Sequence, residues 1–406
     1  MRSPFFERDD RLGGMSAHTV IDGTAVERYY HFVCRPDLTT FRYLNDLGLQ
    51  HKLHWRTTRM GFYSGGRLHD WGHPMALLRF PGLGLVDKAR YAAHVLWAGR
   101  IRDWRPYDRF TSTEWLQRWI GPRAYDVLWR SLFHHKFYQH QDRLSAAWLG
   151  ARIQRVARSR ASWFEERLGY LEGGSMVLLQ ALADRLRGAG GKIRLSSGVD
   201  EVLADGVRVR GVQVGGFAES FDQVVTTVPL PLLPRLVPQL PANERRKIEA
   251  IVNVGVVCVL LKLKRRFSPN FWTNVNDPRF EIPGLIEYTN LNPLDGSHIV
   301  YVPFYMPQDH DKFGRDDHAF LDESVACLEA IQPGFSRADV KACAVSRYRY
   351  AQTVCTPGFY DALPPMASAL HGLFLADTSH YYPEDRSMSE SLRVGAALAG
   401  LAAAAR

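Results

Sequence analysis

Phe5-Phe6-Glu7-Arg8-Asp9-Asp10-Arg11-Leu12-Gly13-Gly14 is the stretch on which the reading of this chain turns. A short apolar run ends in an acid, then an arginine and paired glycines follow. An acid closing the second strand of a Rossmann unit accepts hydrogen bonds from ribose hydroxyls. Gly13 and Gly14 let backbone amides approach a phosphate or a ring edge, and Arg11 can neutralise phosphate charge. The same ten residues also suit a plain surface turn with a routine acid and base, so the choice rests on the rest of the chain.

Downstream, Val20–Val33 alternates enough for a hairpin around Asp22-Gly23. From Phe80 to Arg160 the apolar spacing is helical, over Leu85–Trp104, from the capping box Thr111-Ser112-Thr113-Glu114, over Arg123–Phe133 and over Leu144–Arg160. Gly173-Gly174 opens an amphipathic helix, Ser175–Arg187. Short strands are predicted at Lys192–Leu195, Val199–Ala204, Val207–Val214 and Asp222–Val228, with Asp205-Gly206 as a two-residue hairpin turn. A proline-rich link spans Pro229 to Pro241. Ile251–Lys264 and His298–Tyr305 read as strands, Asp316–Ile331 as a helix, Gly372–Ala376 as a short strand and Ser389–Ala405 as a small-residue helix.

The 406 residues suffice for two domains, and a 46% hydrophobic, 23% charged composition excludes a mainly disordered chain or a collagen-like fibre. The longest apolar stretches, Ile251–Leu261 and Gly395–Ala405, fall short of the ~20 residues of a spanning helix. Five scattered cysteines without a C-x-x-C pair predict a reducing compartment, and the cytoplasm is the expected location. His134, His135 and His140 lack an acid or further ligand at a zinc-like spacing, so no metal is expected. The net charge of +9 is uneven, for residues 51–160 hold 20 Lys/Arg against 7 Asp/Glu, together with eight of the ten tryptophans. That window suits a helical subdomain with tryptophan inside and arginine outside, or a surface facing anionic lipid at the inner face of a membrane. No nucleic-acid-binding signature accompanies it, and no nucleic-acid partner is expected.

Several segments, in order and at matching spacing, resemble the superfamily of flavin-containing amine oxidases, protoporphyrinogen oxidases and phytoene desaturases. Phe5 to Gly14 is similar to its second strand and Glu-x-x-x-Arg-x-Gly-Gly turn. Leu168-Gly169-Tyr170-Leu171-Glu172-Gly173-Gly174-Ser175 resembles its central double-glycine entry to a helix. Gly198-Val199-Asp200-Glu201-Val202 is similar to the segment whose valine backbone meets adenine. His371–Asp377, continuing to Met388-Ser389-Glu390-Ser391, resembles the C-terminal flavin motif.

The resemblance implies an α/β fold in which a discontinuous, Rossmann-like FAD-binding domain carries an inserted α+β substrate domain. Residues 1–58, 161–232 and 365–406 would form the first, and 59–160 with 233–364 the second, its 80–160 part mainly helical. It implies FAD as cofactor, held by Glu7, Arg11, Gly13, Gly14, Val199, Asp377, Met388 and Ser389, with Tyr30 and His31 beneath the ring as catalytic candidates. Pro383-Glu384-Asp385-Arg386 would cross the flavin site. One departure is large. The family opens with a strand, a G-x-G-x-x-G turn and a helix that hold the diphosphate. This chain starts at what corresponds to the second strand, so the FAD-binding domain reads as N-terminally incomplete. On that ground the 406 residues are expected to hold FAD weakly.

The implied reaction passes a hydride from a substrate C–H bond to flavin N5, and the amphipathic helical region favours a large apolar, isoprenoid-like small molecule. An alternative keeps the flavin without net oxidation, as in an isomerase resembling UDP-galactopyranose mutase. Another is a flavoprotein-like chain without catalysis.

Overall fold

The computed structural model describes residues 4–294 and 296–405. The chain opens with β1 (Pro4–Phe6), shorter than the Pro4–Asp9 run reads, because the turn to Gly13-Gly14 begins at once. The hairpin β2 (His18–Ile21) and β3 (Thr24–Glu27) turns at Asp22-Gly23, both at positive φ (45° and 73°), the pair a tight two-residue turn requires. After α1 (Leu38–Asp46) come β4 (Leu53–Thr58), β5 (Met60–Ser64) and β6 (Arg67–Trp71). The helical region then runs α2 (Pro74–Arg79), α3 (Leu85–Ala98), α4 (Ser112–Ile120), α5 (Pro122–Tyr125), α6 (Ser131–Phe137) and α7 (Ala146–Arg158). The Thr111–Glu114 capping box is present, with Thr111 Oγ1 accepting from Glu114 N–H at 3.2 Å.

β7 (Glu166–Leu171) returns antiparallel to β4 and leads into α8 (Ser175–Gly188). β8 (Lys192–Arg194) pairs parallel with β1, and β9 (Val199–Ala204), β10 (Val209–Val214) and β11 (Phe217–Ser220) form a three-stranded meander. The β9–β10 connection is longer than the predicted two-residue turn. Asp205 Oδ1 accepts the N–H groups of both Val207 and Arg208, which holds these two residues in the loop. β12 (Val224–Thr226) precedes the proline-rich segment, which coils into α9 (Leu233–Leu236) and α10 (Ala242–Glu249). Next come β13 (Asn253–Leu263), β14 (Trp272–Asn276), β15 (Gly284–Glu287), β16 (His298–Pro307), α11 (Asp317–Ile331) and β17 (Val340–Thr353). The chain closes through α12 (Phe359–Ala362), β18 (Leu373–Leu375) and α13 (Met388–Ala404).

Seven strands build the main sheet in the order β17-β13-β16-β15-β14-β5-β6. Every residue of β13 is buried because the sheet is covered on both faces. Alternate residues serve opposite cores, as the two-residue period of a strand demands. Val254, Val256, Cys258 and Leu260 join Trp104, Trp115 and Phe133 of the helical region. Val257, Val259, Leu261 and Leu263 pack against Phe320 and Leu328 of α11. Trp104, Trp115 and Trp148 are buried, and Trp97 stacks on Trp119 with ring centroids 4.3 Å apart. Tryptophan therefore goes largely into the core of this region. Two short parallel pairs, β1–β8 and β12–β18, supply the Rossmann-like part, in place of one continuous parallel sheet.

Candidate active site

A cavity of about 3370 Å³ is walled by β1, the Leu12–Ser16 turn, α8, β9 and β12, and reaches β13, β16, α6 and α7. Among the described residues β1 is paired only with β8, and β12 only with β18. Their remaining edges belong to segments, Pro4–Phe6 and Val224–Thr226, that line this cavity. The backbone donors and acceptors left there need partners from within it.

Of the residues the family resemblance assigns to FAD, Glu7, Gly13, Gly14, Val199, Asp377 and Met388 line this one cavity. Glu7 Oε1 accepts the Asp9 N–H at 2.9 Å, and no other partner among the described residues engages the carboxylate. Gly13, at φ 111°, passes so close to α8 that a Cβ would lie 2.4 Å from Leu179 Cδ1. Asp377 accepts from the N–H groups of Leu230 (2.9 Å) and Ser379 (2.8 Å), so the backbone fixes its orientation.

Arg11 and Ser389 are placed elsewhere. The Arg11 guanidinium is committed to Asp10, at 2.6 and 2.8 Å, and to the His18 carbonyl at 2.9 Å. Ser389 is buried against a small cleft beside Asp37, Arg155 and Glu384. Arg8 and Arg28 stand on the cavity wall instead, Arg28 paired with Asp9.

Tyr30 and His31 both reach the cavity. The Tyr30 ring meets Trp272 and Tyr301 edge-on, with centroids 5.5 and 5.8 Å away. Burial, then the neighbouring Tyr305, holds its phenol well above the ordinary value, so it is a neutral hydroxyl. His31 Nδ1 lies 3.0 Å from Glu27 Oε2 and Nε2 lies 3.3 Å from Ser16 Oγ, which uses both ring nitrogens. Glu27 is only 2% exposed, and its Oε1 accepts from Ser175 N–H (2.6 Å) and Ser175 Oγ (2.5 Å). Ser175 opens α8, so this carboxylate also meets the positive end of the helix dipole. Burial pushes the Glu27 carboxyl up, but the His31 ring and the bonds from His31 and Ser175 outweigh it and hold it below its ordinary value.

At the α6 end, Lys136 is only 5% exposed and lines the cavity. Its Nζ stands 5.4, 5.5 and 5.2 Å from the ring centroids of Phe137, Trp148 and Tyr305. Burial, reinforced by Arg152, holds its amine well below the usual lysine range. Arg152 Nη1 donates to Asp385 Oδ2 at 2.8 Å, and Arg386 Nη2 donates to Tyr305 Oη at 3.3 Å. The Pro383–Arg386 loop thus contributes Asp385 and Arg386 to the wall. Sequence reasoning passed over Lys136 in favour of its histidine neighbours. The available signal was its place three residues after Phe133 and one before Phe137, on the buried stripe of α6.

An acid, a glycine turn, arginines and open strand edges on one wall have the donor and acceptor chemistry of a dinucleotide site, and an aromatic chamber adjoins it. This is the fold of an FAD-dependent oxidoreductase. The family model for flavin containing amine oxidoreductases matches residues 6–406, and the chain belongs to that family, with FAD as its cofactor. A search of curated proteins found no match. Among solved structures, the chain is similar to a protein described as a protoporphyrinogen oxidase from Exiguobacterium sp. 255-15, with a TM-score of 0.73 at 17% identity over 98% of this chain and 92% of that one. Reduced UDP-galactopyranose mutase gives 0.70 at 15% identity, over 97% and 88% of the two chains. Cyclohexylamine oxidase from Brevibacterium oxydans IH-35A gives 0.69 at 15% identity, over 98% and 92%. At these identities the likeness concerns the fold.

The buried Glu27 generates a direct test. Glu27→Ala, which strips Ser175 and His31 of their partner, is expected to cost about 3–5 kcal/mol. Glu27→Gln keeps an acceptor and is expected to cost about 1–2 kcal/mol. Because the folded-state carboxyl titrates below the unfolded one, its contribution is complete above the unfolded value of about 4.3 and is lost as pH falls through the folded value. In urea unfolding, wild type and Glu27→Gln should therefore converge as pH falls below about 4. A gap that stays constant down to pH 3 would contradict the assignment.

Proposed function

We propose that this flavoenzyme oxidises a large, mainly apolar small molecule at a C–H bond, inside the aromatic part of the cavity. The observation that supports this is continuity. The wall bearing Glu7, Gly13, Gly14, Val199, Asp377 and Met388 passes without interruption into one bearing Tyr29, Tyr30, Trp272, Tyr305 and Tyr348 over Val256, Cys258 and Pro303. Bound FAD supplies a hydride acceptor at its N5. In this reading Glu7 holds the ribose, Arg8 and Arg28 face the diphosphate, and Gly13 and Gly14 allow the cofactor close to the turn. Tyr30 and its aromatic neighbours exclude water and orient the reacting carbon. His31, held at both nitrogens, braces the turn at Ser16 and transfers no proton. Residues 1–58, 161–232 and 365–406 would serve the cofactor, and 59–160 with 233–364 the substrate. The main sheet, drawn from residues 60–71 and 253–353, supports that division.

The enzyme is expected to work against an anionic membrane face. Among the described residues no helix is long and apolar enough to cross a membrane. Leu78, Leu85 and Val86 of α2 and α3 are nevertheless exposed, Leu85 to 77%, with Arg79, Lys88 and Arg90 around them. Arg160 donates to the carbonyls of Gly72 and Trp163, which sets the exposed Trp163-Phe164 pair beside the start of α2. Apolar side chains within a basic surround suit the headgroup boundary of anionic lipid.

Anaerobic mixing of the FAD-loaded protein with isoprenoid and long-chain substrates should bleach the flavin absorbance in a substrate-dependent way. Conversion of a substrate with no net bleaching would favour an isomerase, and failure to take up flavin would leave a non-catalytic chain.

Co-sedimentation with vesicles should rise with the anionic lipid fraction and fall with salt, and the double variant Leu85→Ser/Val86→Ser should lose most of it. Equal partitioning to neutral and anionic vesicles would overturn the membrane reading.

A further inference from the structure

We propose that the substrate carries an anionic group, a carboxylate or a phosphate, that is received by Lys136 together with Arg152 and Arg386 at the α6 end of the cavity. The inference rests on the reading of the aromatic chamber as the substrate site, and it adds a charged head to the apolar body.

Lys136, Arg152 and Arg386 all line this end of the cavity, and Asp385 is the carboxylate among them. Arg155, also on the wall, is neutralised separately by the buried Asp37, with bonds of 2.9 and 2.7 Å. Two guanidinium groups and the Lys136 amine face one carboxylate in a place largely removed from water, so an anion there would offset the arginine charge and favour the protonated amine that burial disfavours. Asp385 Oδ2 is taken by Arg152 at 2.8 Å, while its Oδ1 is buried without a partner among the described residues.

Lys136 Nζ has no hydrogen-bond acceptor among the described residues, and its surroundings are the three aromatic rings. Those rings favour a cation through their electron-rich faces but satisfy none of its N–H donors. Arg386 is similar. One nitrogen donates to the Ala351 carbonyl and another to Tyr305 Oη, while Nε is buried without a partner. A carboxylate or phosphoryl oxygen in the cavity would meet the free Lys136 donors and offset the arginine charge. Tyr30 and Tyr305 line the same cavity as these groups, and Lys136 Nζ stands 5.2 Å from the Tyr305 ring centroid, so the anionic head would sit beside the aromatic wall.

Calorimetric titration of the FAD-loaded full chain with four probes of equal tail tests this: octanoate, octyl phosphate, octanol and octylamine. Octanoate, octyl phosphate or both should bind at least about tenfold tighter than octanol and octylamine, and the stronger of the two identifies the acid. Lys136→Met should reduce that anion's affinity by about tenfold or more while octanol stays within about twofold, and Lys136→Arg should keep the preference. If Lys136→Met does not fold, Arg152→Gln should weaken the anion in the same direction. Octanol binding as tightly as the anions would overturn the anionic head and leave the apolar chamber standing. Binding of none of the four would overturn both. Preference for octylamine, or an anion preference unchanged by Lys136→Met, would overturn the proposal.

Discussion

A carboxylate buried at the mouth of a helix holds this molecule's site together. Glu27 ends β3, yet its oxygens cap the first turn of α8 through Ser175 and fix the His31 ring. Its own carbonyl accepts from Tyr301 Oη of β16 at 2.7 Å, and Ser175 Oγ stands 3.3 Å from Met388 Sδ at the start of α13. One residue thus joins the N-terminal hairpin, α8, the main sheet and the C-terminal helix. The approach is possible because position 174 has no side chain. A Cβ on Gly174 would lie 3.2 Å from His18 Nε2 and 3.3 Å from Glu27 Oε1, at a φ of 73° that other residues rarely adopt.

From this junction the cavity extends in two chemically different directions. Toward β1, β9 and β12 the wall is backbone edge, glycine turn, acid and arginine, which is what a dinucleotide needs. Toward β13, β16 and α6 it is aromatic ring, buried aliphatic and a small group of cations. The second draws its aromatic rings from Tyr29, Tyr30, Trp272, Tyr305 and Tyr348, and the helical region adds Leu132, Lys136, Arg152 and Arg155 to it.

The elements that the sequence disclosed are those with strong local signals. β13 was legible because a strand buried on both faces is a continuous apolar run, NVGVVCVLLKL. α8 and α13 announced themselves by a glycine entry and small-residue periodicity, and Asp22-Gly23 by its turn chemistry. β17 was missed although it is fourteen residues long. It is an edge strand carrying Lys341, Arg347, Tyr348 and Arg349, and only its pairing with β13 makes those polar residues a strand. β4, β14 and β15 are short strands that pair within sheets assembled from distant segments, whereas β5 and β6 form a local hairpin whose turn signal, Gly65-Gly66, went unread. Motif order grouped Glu7, the glycines, Val199, Asp377 and Met388, and the fold brings them to one cavity. Arg11 is absent from that lining because its neighbour Asp10 engages the guanidinium, which spacing alone does not reveal. Glu27 owes its character to burial, a tertiary property, whereas the place of Lys136 on the buried stripe of α6 was open to reading.

On the proposed reading two ligands lie side by side in one cavity, FAD at the Glu7 end and substrate at the Lys136 end. Fluorescence titration with FAD of wild type, Glu7→Gln and Lys136→Met tests it most directly. Loss of the charge-assisted bond at Glu7 should weaken FAD by about tenfold or more, while Lys136→Met should leave its dissociation constant within about twofold. An unchanged constant for Glu7→Gln, or a larger loss for Lys136→Met, would contradict this division of the cavity.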